Sequence, residues 1–222
     1  MSKKEKKKKR KLTNKSKFLI CIILVILIVG GYFTYNKFIK KDEASSPKVV
    51  DEIKKFNYVV NENDTKLFKS IFRELKTILS KKEIDEKKYA ETISKLFVVD
   101  FFNLDNKTSK NDVGGVQFVY SSYKSDFVDY AREGIYKQVS STLDKKRTIK
   151  LPKVTSVKIT NTEEVDASSI FDLDDFNDEG KSKAYEITLE WEYKNGSGFQ
   201  NKAILTVVKD GNKLSVAKME EE

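Results

Sequence analysis

Tyr185-Glu186-Ile187-Thr188-Leu189-Glu190-Trp191-Glu192-Tyr193 alternates without a fault, with aromatic and aliphatic residues at odd positions and Glu or Thr at even ones. Successive side chains of an extended strand point to opposite faces, so this stretch reads as a strand with one apolar and one polar face. Lys194-Asn195-Gly196-Ser197-Gly198 follows it, and its Asn-Gly pair is a hairpin signal because both residues tolerate positive φ. The partner strand is then expected over Phe199 to Val208. Asp210-Gly211-Asn212 turns the chain into a last strand, Leu214 to Lys218. Upstream, Ile149, Leu151, Val154, Val157 and Ile159 suggest one more strand, which Pro152 confines to an edge or a bulge. Strands joined by short turns make an antiparallel sheet. Parity places Trp191 on its packed face with Tyr185, Ile187, Leu189 and Tyr193.

The chain before this sheet has a different period. Pro47 suits the first turn of a helix with Ser46 as its cap, and Val49, Val50, Ile53, Phe56 and Val60 are spaced for one apolar face. A second helix is expected from near Asp64, where Leu67, Phe68, Ile71, Phe72, Leu75, Ile78 and Leu79 recur at three and four residues. A third runs from about Ile84 to Asn103, and its second half is apolar nearly all round, as a helix buried on several sides would be. Asn106 to Gly115 is a polar break. Val116 to Tyr120 reads as a short strand or a turn of helix, and Tyr123, Phe127, Tyr130, Ala131, Ile135, Tyr136 and Val139 as a fourth helix. Helices followed by an antiparallel sheet define an α+β domain over residues 48–222.

Ahead of that domain, Phe18 to Asn36 is an uncharged, mostly aliphatic run between Lys17 and Lys37. As a helix its 19 residues span roughly 28 Å, close to the hydrocarbon thickness of a bilayer. Residues 1–17 carry ten Lys or Arg and one Glu, the whole of the chain's +9, leaving 33 basic and 33 acidic residues in the remainder. Positive flanks stay on the cytoplasmic side. The expected organisation is a basic cytoplasmic tail (1–17), a single-pass membrane helix (18–36), a linker (37–47) and an extracytoplasmic domain (48–222). The tail suits contact with anionic inner-leaflet lipid, and nothing in the neutral remainder asks for nucleic acid. Val29-Gly30-Gly31 offers small residues for cleavage before Tyr32, but the long basic start and the length of the run favour an uncleaved anchor. Cys21, the one cysteine, lies within the run, so the domain folds without disulfides. That and a bias toward Lys, Asn and Ile suit the cell envelope of a Gram-positive bacterium.

The chain has no histidine, which removes imidazole bases, Ser-His-Asp and Cys-His systems and nearly every zinc site. Gly114-Gly115 is followed by Val-Gln, not by the Lys-Ser/Thr of a phosphate loop. Carboxylate-pair hydrolysis is the catalytic class the composition leaves open, and no pair is singled out. Asp175 to Glu186 matches the calcium-loop template at its acidic positions, with Gly180 sixth and Glu186 twelfth. Ser182 stands where that template has an aliphatic, and the segment enters a strand instead of a helix, so an acidic inter-strand loop is the better reading. Neither a metal nor a cofactor is expected.

Leu96-Phe-Val-Val-Asp100-Phe-Phe-Asn-Leu-Asp105, then Val116-Gln-Phe-Val-Tyr-Ser121-Ser122-Tyr123, with Asp126 to Tyr130 beyond, is similar to a pattern in the assembly factors of type IV secretion (the VirB-eight type) and in TcpC-like proteins of Gram-positive conjugation. The Trp191-Glu192-Tyr193 strand resembles their penultimate sheet region. The resemblance covers about residues 85–135 and one strand. It departs at Gly114-Gly115 and lacks the basic, Pro-containing segment of the final hairpin. It implies a nuclear-transport-factor-two-like (cystatin-like) cone and a non-catalytic scaffold that assembles with copies of itself or with envelope proteins. Tyr120, Tyr123 and Tyr130 lie beside the most family-like stretch; with their polar neighbours Ser122 and Lys124 they are the candidate interaction surface, and core packing is the expected alternative for each of the three rings. The competing reading is a membrane-tethered ligand-binding or sensory domain. An envelope hydrolase is the third.

Overall fold

A computed structural model describes residues 47–139, 150–170 and 183–221. The basic tail, the apolar run, nearly all of the linker, and residues 175–182 of the calcium-like loop lie outside them. No helix among the described residues is long and apolar enough to cross a membrane.

Lys48 to Glu222 forms one unit. It opens with a hairpin, β1 (Val49–Ile53) antiparallel to β2 (Tyr58–Asn61). Two helices follow, α1 (Lys66–Leu79) and α2 (Glu86–Phe101). After a loop and 3-10 turns at Val116–Phe118 and Ser121–Tyr123 comes α3 (Lys124–Glu133). The chain then builds a four-stranded antiparallel meander: β3 (Lys153–Asp166), β4 (Lys183–Lys194), β5 (Lys202–Asp210) and β6 (Lys213–Glu220), in that order across the sheet. The α+β reading, with helices ahead of an antiparallel sheet, is what the structure shows.

The first expected helix is overturned. Residues 49–60 form β1 and β2, and Pro47 precedes a strand, not a helical turn. The apolar spacing that suggested a helix competes with β-branched pairs at Val49-Val50 and Val59-Val60, which favour extended backbone. Asn57 makes the turn at φ 54, its N–H donating to the Lys54 carbonyl at 3.2 Å. Asn is one of the few residues that enter that left-handed region cheaply. The hairpin then buries Tyr58 and Val60 and leaves Val49 and Val50 about half exposed.

Local chemistry explains the helices. Thr65 caps α1 by accepting from the Phe68 N–H at 3.1 Å, and Asp85 caps α2 through the Lys88 N–H at 3.1 Å. Phe68, Ile71, Phe72 and Leu75 form the buried stripe of α1. In α2 burial covers most of the circumference, from Tyr89 to Phe101, because this helix lies between α1 and the sheet. The fourth expected helix is shorter than its apolar spacing. Gly134 ends α3, and Ile135–Gln138 continues as a 3-10 turn that buries Tyr136.

In β4 the alternation decides the faces. Tyr185, Ile187, Leu189 and Trp191 are buried, opposite Val207, Leu205 and Ala203 of β5. Asn195 and Gly198 take positive φ in the turn after β4, and Gly211 in the next one. β5 begins at Lys202, three residues later than Phe199. β3 is an edge strand interrupted by two bulges, after Val154 and after Ile159. Such irregularities blunt an edge against further pairing.

Candidate functional site

Tyr120 to Lys124 lies beside the edge strand β6. The Tyr120 N–H donates to the Val216 carbonyl at 2.8 Å, and the Ser121 hydroxyl donates to Asp210 Oδ1 at 2.8 Å. The Tyr120 ring packs on Ala167, Ala184 and Val208, on the face of the sheet opposite the helices, and stands 5.3 Å from the Tyr123 ring. Tyr123 packs against the main core, Ser122 is exposed and Lys124 is half-buried. These four candidates are therefore neighbours, and two of them spend their rings on packing.

Tyr130 is different. It lies six residues beyond Lys124 on α3, about 9 Å along the helix and about 240° around it, so it faces another direction. Its side chain is 80 % exposed, the most of any large apolar residue among those described. Asp126 and Glu133, one turn to either side, are exposed as well. Asp129, beside Tyr130, pairs with Arg132 at 3.4 Å.

The family-like stretch around Asp100 is structural in this chain. Asp100 Oδ1 accepts from the Lys107 ammonium at 2.6 Å, and Oδ2 accepts from the Gly115 N–H at 2.7 Å. Burial opposes the charge on Lys107, but Asp100 beside it holds that ammonium above its ordinary pKa. The Tyr136 hydroxyl donates to the Phe101 carbonyl at 2.7 Å and accepts from the Gly114 N–H at 2.8 Å. The end of α2, the polar loop and the turn after α3 are joined through these bonds. A methyl at Gly114 would stand 2.2 Å from the Asp100 carbonyl oxygen, which explains a glycine there. Asp64, close by, accepts from the Asn61 N–H at 2.7 Å, and burial pushes its carboxyl up to about 6.

A groove that the sequence reading missed lies between the hairpin and α1, with a volume of about 370 Å³. Val50, Val60 and Phe72 supply its apolar walls, Lys66, Lys69 and Arg73 its basic rim, and Asp51 one acidic point. Asp51 is bound to Lys76 at 2.6 Å, and this contact holds its carboxyl below the usual range. The Lys69 ammonium donates to the Glu62 carbonyl at 2.7 Å. The helical spacing of Lys66, Lys69 and Arg73 was visible in the sequence. The hairpin facing them was not, because its residues also fit a helix.

Of the calcium-like loop only its end is described. Glu186 sits within β4, opposite Glu163 and Thr206, as the strand reading expected. Among the described residues no group of three or more acidic or cysteine side chains is arranged to hold a metal. Comparison with known proteins finds no matching family model, no matching curated protein and no matching solved structure.

Proposed function

We propose that this chain is a membrane-anchored, extracytoplasmic assembly module that works by binding other proteins in the cell envelope. In this reading residues 1–17 face the cytoplasm and contact anionic lipid, residues 18–36 span the membrane once, and the α+β domain is displayed outside on the linker 37–47. The domain is taken as nuclear-transport-factor-two-like, and its setting as a conjugation or type IV secretion apparatus, on the resemblance around Leu96–Asp105 and Val116–Tyr123. The observation that carries the binding role is Tyr130, 80 % exposed on a helix that packs on the core through Phe127 and Ala131. Tyr is enriched where proteins meet, because its ring is apolar and its hydroxyl finds a polar partner.

Two measurements test this. Protease added to intact protoplasts is expected to digest the domain and spare the tail. A soluble chain beginning near Tyr32 overturns the anchor. Photo-crosslinkers at Ser122, Lys124 and Tyr130 in the native host are expected to trap protein adducts. Absence of adducts at all three positions, together with turnover of an envelope substrate by the purified protein, overturns the assembly role.

A further inference from the structure

Tyr130 with its flanking carboxylates and the basic groove on α1 carry opposite charges, and they lie on different parts of one chain. Val60 and Phe72, both buried, form the floor of the groove, and Val50, about half exposed, is its accessible apolar wall. Its rim is Lys66, Lys69 and Arg73, spaced i, i+3 and i+7 on one side of α1. Among the described residues none of these three cations has a carboxylate partner in an ion pair. On α3, Asp126, Tyr130 and Glu133 are spaced i, i+4 and i+7, so an aromatic knob stands between two carboxylates. With its side chain 80 % exposed, Tyr130 does not occupy the groove of its own chain.

We infer that the groove receives Tyr130 of a second copy, with Asp126 and Glu133 of that copy against Lys66, Lys69 and Arg73. This rests on the assembly role proposed above and names the partner and both surfaces. A desolvated aromatic anchor ringed by polar contacts is the arrangement that concentrates binding energy in protein interfaces. The opposite charges add orientation and a faster encounter, and they make the contact weaken with salt. Knob and groove are different patches, so the contact is head-to-tail and a pair retains one unused knob on one copy and one unused groove on the other. Assembly then propagates to a closed ring or an open row. One knob in one groove covers far less than the ~1,600 Å² of a stable interface, so single contacts are weak. Confinement of copies to a membrane plane raises their effective concentration enough to matter.

The test uses the full-length chain reconstituted into phosphatidylcholine vesicles, with donor- or acceptor-labelled copies mixed at increasing surface density and read by energy transfer. Lys69→Glu with Arg73→Glu in every copy, or Asp126→Lys with Glu133→Lys in every copy, is expected to weaken association by about tenfold or more. Tyr130→Ser is expected to do the same. Copies with the reversed groove, mixed with copies carrying the reversed knob, are expected to pair again. All substituted side chains lie at the surface, and circular dichroism verifies that each variant is folded. Association unchanged by either reversal, or folded reversed partners that fail to pair when mixed, overturns the interface. If wild-type copies show no transfer at all, the interface also falls. The assembly role then depends on other envelope proteins and is judged by the host crosslinking alone.

Discussion

The Trp191 indole packs on the Phe102 ring with centroids 4.6 Å apart and planes inclined by 33°. One residue comes from the C-terminal half of the alternating strand β4, the other from the C-cap of α2, and both are at most 2 % exposed. This pair joins the sheet to the end of the central helix, two residues beyond the Asp100 that holds Lys107. It fixes where the polar loop after α2 can begin.

Trp191→Ala is therefore expected to destabilise the domain by about 3–5 kcal/mol, the cost of a large cavity that the surrounding rings cannot fill. Urea titration followed by circular dichroism measures it. An unchanged midpoint would assign Trp191 to the wrong face.

Lys107→Met leaves the Asp100 carboxylate, itself 14 % exposed, without its cation. The expected loss is about 3–5 kcal/mol. Asp100→Asn combined with Lys107→Met removes both charges and retains an acceptor for the Gly115 N–H. It is expected to cost less than Lys107→Met alone. A double-mutant cycle on unfolding free energies measures the difference, and simple additivity would contradict the coupling.

Asp64 gives a pH dependence of defined sign. Burial raises its folded pKa from 3.8 to about 6, so the folded domain binds this proton more tightly than the unfolded chain. The group is thus least unfavourable below about pH 4, and its cost grows as pH rises through the window up to about 6. Asp64 is partly open to solvent, which limits the cost to about 1–2 kcal/mol. Asp64→Asn should gain on the wild type by that amount between pH 4 and pH 6.5. Parallel stability curves across this window would disprove the assignment.

Gly114→Ala and Gly211→Ala separate two roles of glycine. At Gly114 the added carbon meets the Asp100 carbonyl oxygen at 2.2 Å, so backbone must move and about 2 kcal/mol or more is lost. Gly211 has open space around it and φ +62, so its loss should be near the 1–2 kcal/mol of a left-handed alanine, or about that. Thermal unfolding of the two variants is expected to rank Gly114→Ala as the less stable.

Tyr130→Ser is expected to leave stability within about 0.5 kcal/mol of the wild type, because the ring buries little. A larger drop in melting temperature would mean that Tyr130 packs against the rest of the domain and is not a free knob.

Local pattern was sufficient wherever one period applied without a rival. The strand from Tyr185 to Tyr193 could be placed, faced and turned from its alternation and its Asn-Gly loop, since inverting it would have buried Glu186, Glu190 and Glu192. The amphipathic stripe of α1 and the all-round apolar end of α2 were legible for the same reason. Residues 49–60 carried two signals at once, an apolar spacing near 3.6 and runs of β-branched side chains, and no local rule ranks them. Tertiary contacts resolved the conflict. As a hairpin, this segment aims Tyr58 at Tyr89 and the Leu214 carbonyl, with hydroxyl contacts at 2.8 and 2.9 Å, and exchanges two hydrogen bonds with Gln117 through Val59. Those partners lie 31 to 156 residues away along the chain. The groove follows from that outcome, because Val50 and Val60 belong to the hairpin, and Phe72 and the cations to α1. The sequence by itself determined which faces of α1, α2 and β4 are buried, through periodicity that any neighbour would read alike. Tertiary structure alone decided that Tyr130 stays outside and that Lys66, Lys69 and Arg73 border an apolar groove. Exposure and concavity depend on which distant surfaces arrive, and periodicity carries no information about that.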